Sequence, residues 1–158
     1  MTVNWSVGGT MDHPAYAGRI ETCARTSKWE TSSSSWQVVP DLSGGNITIM
    51  NSTSVIFVCC HLSSEVDNNN TGFGIAGLQK RVNNGSWQDV AQFNITGSNN
   101  NNIGNGFQYR HDHNNSANTL MAYRIRYRKN NTAANHAIAD TGPGENTTAT
   151  LQYWEMQE

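Results

Sequence analysis

The sequence predicts an all-β domain of short antiparallel strands, a sandwich or a barrel. Three observations carry that prediction. Hydrophobic residues make up only 36% of the chain and charged ones 14%, and Asn, Ser, Thr and Gly fill the gap. Those four residue types compete with helical backbone or weaken it, and they suit polar turns. Turn signals recur at the spacing expected between the strands of a sandwich. Finally, residues 120–128 (LMAYRIRYR) alternate strictly. Met121, Tyr123, Ile125 and Tyr127 take one face, and Arg124, Arg126 and Arg128 take the other. That is the pattern of a half-buried antiparallel strand.

Taken in order, residues 1–19 have weak periodicity, and Asp12-His13-Pro14 forces an extended or turning backbone. They read as an N-terminal arm, with the sandwich domain spanning 20–158. Residues 20–30 are strand-like, 32–35 a flexible link, and 36–39 a short strand stopped by Pro40-Asp41. Gly44-Gly45 marks a turn, and 46–50 alternates with Ile47 and Ile49 on one face. Residues 54–62 (SVIFVCCHL) are apolar on both faces. Such a strand is covered on both sides, and one sandwich core covers only one. Residues 73–82 and 86–93 form two strands joined by Asn83-Asn84-Gly85, a hairpin turn tolerant of positive φ. Short strands follow at 106–110 and 137–139. A last strand at 147–156 is expected inside a sheet, because a central place holds a terminus best. The count is roughly eight to ten strands, with no convincing helix.

The chain of 158 residues is long enough for one domain with a real core. Its net charge of -2 gives no global field toward nucleic acid or anionic lipid. The three cysteines, Cys23, Cys59 and Cys60, show no disulfide spacing and read as small buried residues of a reducing compartment. Met1 to Thr10 has neither the basic nor the apolar region of a secretory leader. No apolar run approaches the ~20 residues that span a bilayer.

The residues Trp36-Gln37-Val38-Val39, the apolar run 55–60, Tyr123 to Arg128, and the closing Thr148-Ala149-Thr150-Leu151-Gln152-Tyr153-Trp154-Glu155-Met156 carry a resemblance. Over residues 20–158 the chain resembles small virion proteins of tailed bacteriophages. These look like jelly-roll sandwiches of the tumour-necrosis-factor/C1q type. The resemblance implies a non-enzymatic structural protein of the virion, made in the host cytoplasm and assembled as a homotrimer without a cofactor. It implies capsid decoration, on the major capsid protein or another virion protein, with no nucleic-acid or membrane partner. The alternative is a fibre tip that reads host glycans through the Asn-rich loops at 67–70, 98–105 and 114–118.

Three sets of residues are candidate sites. His111-Asp112-His113 supplies two imidazoles, fewer than zinc sites need. Three copies about a three-fold axis would supply six, an octahedral set. The following Asn114-Asn115-Ser116-Ala117-Asn118 reads as exposed loop, so both histidines are expected in a solvated turn without metal or catalysis. No motif for a nucleophile, a phosphate loop or a metalloprotease occurs. For partner binding, the candidates are Trp5, Val7, Met11 and Tyr16 of the arm, and the arginine face Arg124, Arg126 and Arg128, which suits carboxylates. No stacking platform is expected on that face. For the oligomer interface, the candidates are Ile56, Val58, Cys60 and Leu62.

Overall fold

The computed structural model describes residues 20–66, 72–99, 103–130, 136–138 and 148–157. The arm, with Trp5, Val7, Met11 and Tyr16, lies outside the described residues, as do residues 67–70. Eleven strands are described: β1 (Glu21–Arg25), β2 (Trp29–Thr31), β3 (Gln37–Ser43), β4 (Ile47–Thr48), β5 (Val55–Val66), β6 (Gly72–Val82), β7 (Gln88–Asn99), β8 (Ile103–His111), β9 (Leu120–Asn130), β10 (His136–Ile138) and β11 (Ala149–Met156).

They form two facing sheets. The first runs β1-β11-β5-β8, with β10 continuing along β5 and β2 pairing β10. The second runs β3-β9-β6-β7, with β4 also on β9. A short parallel pairing of Glu65 and Val66 with Ser98 and Asn99 joins the sheets at one end. The pairing is nested. β1 pairs the last strand β11, β3 pairs β9, β5 pairs β8, and β6 pairs its neighbour β7. A chain folded on itself as one long hairpin and then wound into two sheets is a jelly roll.

The core lies between the sheets. It includes Val39, Leu42, Ile56, Val58, Leu62, Leu78, Met121, Ile125 and Leu151, together with Tyr123, Tyr127 and Tyr153, all fully buried. The alternation predicted for β9 holds, and β11 is an interior strand as expected.

Several boundaries differ from the sequence reading, each for a physical reason. Pro40-Asp41 does not stop β3. The strand continues to Ser43 through a register shift, with Asp41 at φ 64°. Pairing of β3 is described only to β9, and an edge strand tolerates the missing N–H of proline. At the β6–β7 turn the positive φ values fall on Asn83 and Asn84, and Gly85 N–H donates to Val82 O at 2.8 Å. Ile56, Val58, Cys60 and Leu62 are not an oligomer interface. They point inward and are at most 4% exposed within the single chain. The outward side of β5 carries Phe57 and Cys59, both half-buried, and exposed His61.

Candidate functional site: an arginine–tryptophan face

The outward side of the second sheet is built from β9, β6, β7 and the residues just before β3 and β7. Arg124, Arg126 and Arg128 stand on β9 opposite Gln79, Gly77 and Ile75 of β6. Trp36 precedes β3 and Trp87 precedes β7, so both indoles reach over the strands from the sheet margins. Arg126 lies over the Trp36 ring at 3.9 Å to its centroid, and Arg128 at 4.9 Å. Trp87 takes Arg124 at 4.4 Å and Arg81 at 4.9 Å. Each indole thus gathers two guanidinium groups, an arrangement that holds long side chains against their rotamer entropy.

Hydrogen bonds fix the middle of this ladder. Arg126 pairs with Asp89 at 2.6 Å, Gln79 donates to Asp89 at 2.8 Å, and Arg124 Nε donates to Gln79 Oε1 at 2.9 Å. Gly77 leaves the space that Arg126 crosses. A Cβ there would lie 2.9 Å from the Arg126 stem and 3.1 Å from Trp36. Among the described residues, Asp89 is the one carboxylate engaged by the ladder, so four arginines against one aspartate leave three positive charges unbalanced. The whole chain has the opposite sign, with a net charge of -2. Partial burial, followed by repulsion from Arg126 and Arg81, lowers the Arg124 pKa from its ordinary value.

The sequence located the three β9 arginines here but missed Arg81, Trp36 and Trp87. The expectation of no stacking platform is corrected, since two indoles stand on this face. Their outward role as stacking partners also separates them from Trp29, which is partly buried against the core and packs edge-on to Tyr127 at 6.2 Å. Trp154 takes a third role, stacking with Phe57 on the outside of the first sheet.

His111 and His113 do not lie in solvent. His113 does sit in the loop after β8, yet it is 3% exposed, and His111, at the end of β8, is 8% exposed. The expectation of a solvated turn fails because both rings fold inward over the end of the core. Lys80 Nζ lies 3.3 Å from His111 Nε2, and Tyr123 Oη lies 2.5 Å from Nδ1. An ammonium only donates, so Nε2 accepts, and Nδ1–H donates to the tyrosine. Burial, then the Lys80 charge and His113, lower the His111 pKa to about 4, against an opposing pull from Asp112.

His113 Nδ1 accepts the Asn115 N–H at 2.9 Å, which leaves Nε2–H to donate to Ser54 Oγ at 3.1 Å. Ser54 in turn donates toward Glu155 through a short contact, with Asn51 O also in reach at 2.6 Å. Glu155 is 1% exposed and accepts the backbone N–H groups of Met50 and Asn51 at 2.8 and 3.0 Å. Serine, histidine and carboxylate are all present, but in the wrong order for nucleophilic catalysis. The histidine donates to the serine, where a general base must accept from it. The cluster instead ties β11 and the β8–β9 loop to the start of β5. All four ring nitrogens of the two histidines face protein groups.

The asparagines are also used structurally. Asn105 bridges Ser64 and Thr96, and Asn83 Oδ1 accepts the Leu120 N–H. Cys59 and Cys60 point to opposite faces, and burial raises the pKa of both thiols.

No family model matches the chain, and no curated protein matches it. Among solved structures the chain is similar to one in the structure of infectious bursal disease virus Gx strain. The identity is 12% and the TM-score 0.48, with 98% of this chain covered and 42% of that chain spanned. The jelly-roll assignment rests on the nested strand pairing itself.

Proposed function

We propose that this chain is a non-enzymatic structural protein of a virion. It docks through the arginine–tryptophan face onto an acidic surface of a neighbouring virion protein. The observation that carries the reading is the ladder: four guanidinium groups pre-positioned on two indoles, with one carboxylate among them. Pre-positioned side chains lose little freedom on binding, which favours a docking role. The jelly-roll pairing is consistent with the class, since virion shells are among the known uses of that fold. The donor order at Ser54 and His113 supports a structural rather than catalytic role for the buried polar cluster.

Capsid decoration is favoured over a fibre tip. A built cationic face suits attachment to a shell, whereas among the described residues of the Asn-rich loops the side chains of Asn105, Asn114 and Asn115 donate to backbone carbonyls within the chain. In a homotrimer the covered surface would be the half-buried Phe57, Cys59, Trp154 and Met156 on the outside of the first sheet.

The test is to quantify the chain in purified particles, strip it, and compare reattachment of the intact chain with the Arg124→Gln/Arg128→Gln variant. High copy number on the head and loss of reattachment in the variant are expected. A few copies at the tail, or equal reattachment, would refute the decoration reading.

A further inference from the structure

Resting on that reading, we infer that the occupant of the face is an extended acidic segment of the partner protein, with carboxylates at alternate positions. Residues i, i+2 and i+4 of a strand repeat every 6.4–6.8 Å or so. Arg124, Arg126 and Arg128 follow that repeat on β9, opposite successive odd-numbered positions of β6. An extended acidic peptide presents its carboxylates with the same repeat, so one can match the other over several residues.

The two pairs of guanidinium groups sharpen the match. Arg81 and Arg124 meet at Trp87, and Arg126 and Arg128 meet at Trp36. Two like charges held on one ring repel each other, and an anion placed between them relieves both. The planar edges of guanidinium suit bidentate bonding to a carboxylate. At one point the chain already shows the geometry that a partner would extend, because Asp89 binds Arg126 at 2.6 Å while half-exposed. Single-stranded nucleic acid carries negative charge too, but it binds by stacking bases on free aromatic faces. Here each indole is already engaged by two guanidinium groups, which disfavours that occupant.

The experiment is a fluorescence titration of the full chain with three probes: a peptide alternating Glu and Thr, a peptide of the same composition with its glutamates in one block, and oligothymidylate. The alternating peptide is expected to bind at least about tenfold tighter than the blocked one, and Arg124→Gln to weaken it about tenfold. Affinity should fall with added salt. Equal affinity for the two peptides would reduce the face to an unspecific charge field and overturn the inference. Tighter binding of oligothymidylate, or no saturable signal from the alternating peptide, would overturn it as well. If the peptides fail while intact chain still reattaches to particles and the arginine variant does not, docking stands and the extended acidic occupant falls.

Discussion

Single protons decide what the buried polar residues can do. Ser54 has one hydrogen to give, and His113 has its proton on the nitrogen that faces Ser54. Removing the Glu155 charge tests this arrangement. In Glu155→Gln an amide replaces an acceptor that receives Met50 N–H, Asn51 N–H and Ser54 Oγ–H. The amide nitrogen brings donors to a site full of donors. The variant should lose roughly 1–3 kcal/mol in urea unfolding, the cost of buried donors left unmet. A loss indistinguishable from zero would show that water already reaches the carboxylate. A second residue-scale prediction concerns Gly77. Alanine there would meet Arg126 and Trp36 at about van der Waals overlap, with Cβ contacts of 2.9 and 3.1 Å. Gly77→Ala should lift Arg126 away from Asp89, seen as a change in the Arg126 Nε–H resonance with the fold kept.

At the scale of elements, the ladder is held by residues that belong to different strands. Trp36→Ala removes the ring under two guanidinium groups, so Arg126 and Arg128 both lose their support. The expected cost is about 1–2 kcal/mol, since each such contact at a half-exposed site is worth ~0.5–1 kcal/mol. A double-mutant cycle with Arg126→Ala checks it, and zero coupling would contradict the stacking. The sequence made β9 legible because its pattern is local: alternation over nine residues fixes which side each arginine takes. The same logic identified the tyrosines as core. Trp36 and Trp87 were illegible because they act across strands, from positions set by the partner register rather than by their own neighbours. His111 and His113 were misread for a similar reason. A run of asparagines signals a loop, but tertiary partners decide where the rings go: Lys80 and Tyr123 of the opposite sheet for His111, and Ser54 at the start of β5 for His113. Along β5 both faces were correctly read as apolar. Which of them faces the core is not encoded in the strand, and packing against the second sheet turns Ile56, Val58, Cys60 and Leu62 inward, opposite to the sequence expectation.

For the whole molecule, the buried histidines predict a pH dependence. The folded His111 pKa is lowered to about 4, and that of His113 is lowered as well, by burial first. The unfolded chain takes up these protons near 6.5, where imidazole ordinarily titrates. Between those values the unfolded state binds more protons than the folded one, so stability present above about pH 6.5 is lost as the pH falls toward 4. The slope for His111 is at most about 1.4 kcal/mol per pH unit, and less where solvent reaches the ring. Urea midpoints at pH 7 and pH 5 should differ, and His111→Gln should flatten the difference. A flat profile in the parent chain would contradict the buried neutral rings. The nested jelly roll also sets the two sheet faces apart. The cationic ladder covers the outside of the second sheet, and Phe57 with Trp154 lies on the outside of the first.

Chemical-shift mapping of the full chain with the alternating Glu–Thr peptide shows whether the ladder is the binding face. Saturable shifts are expected at the indole N–H groups of Trp36 and Trp87 and at the Nε–H groups of Arg81, Arg124, Arg126 and Arg128, with Phe57 and Trp154 unmoved. Shifts centred on Phe57 and Trp154, or spread evenly over every exposed cation, would contradict it.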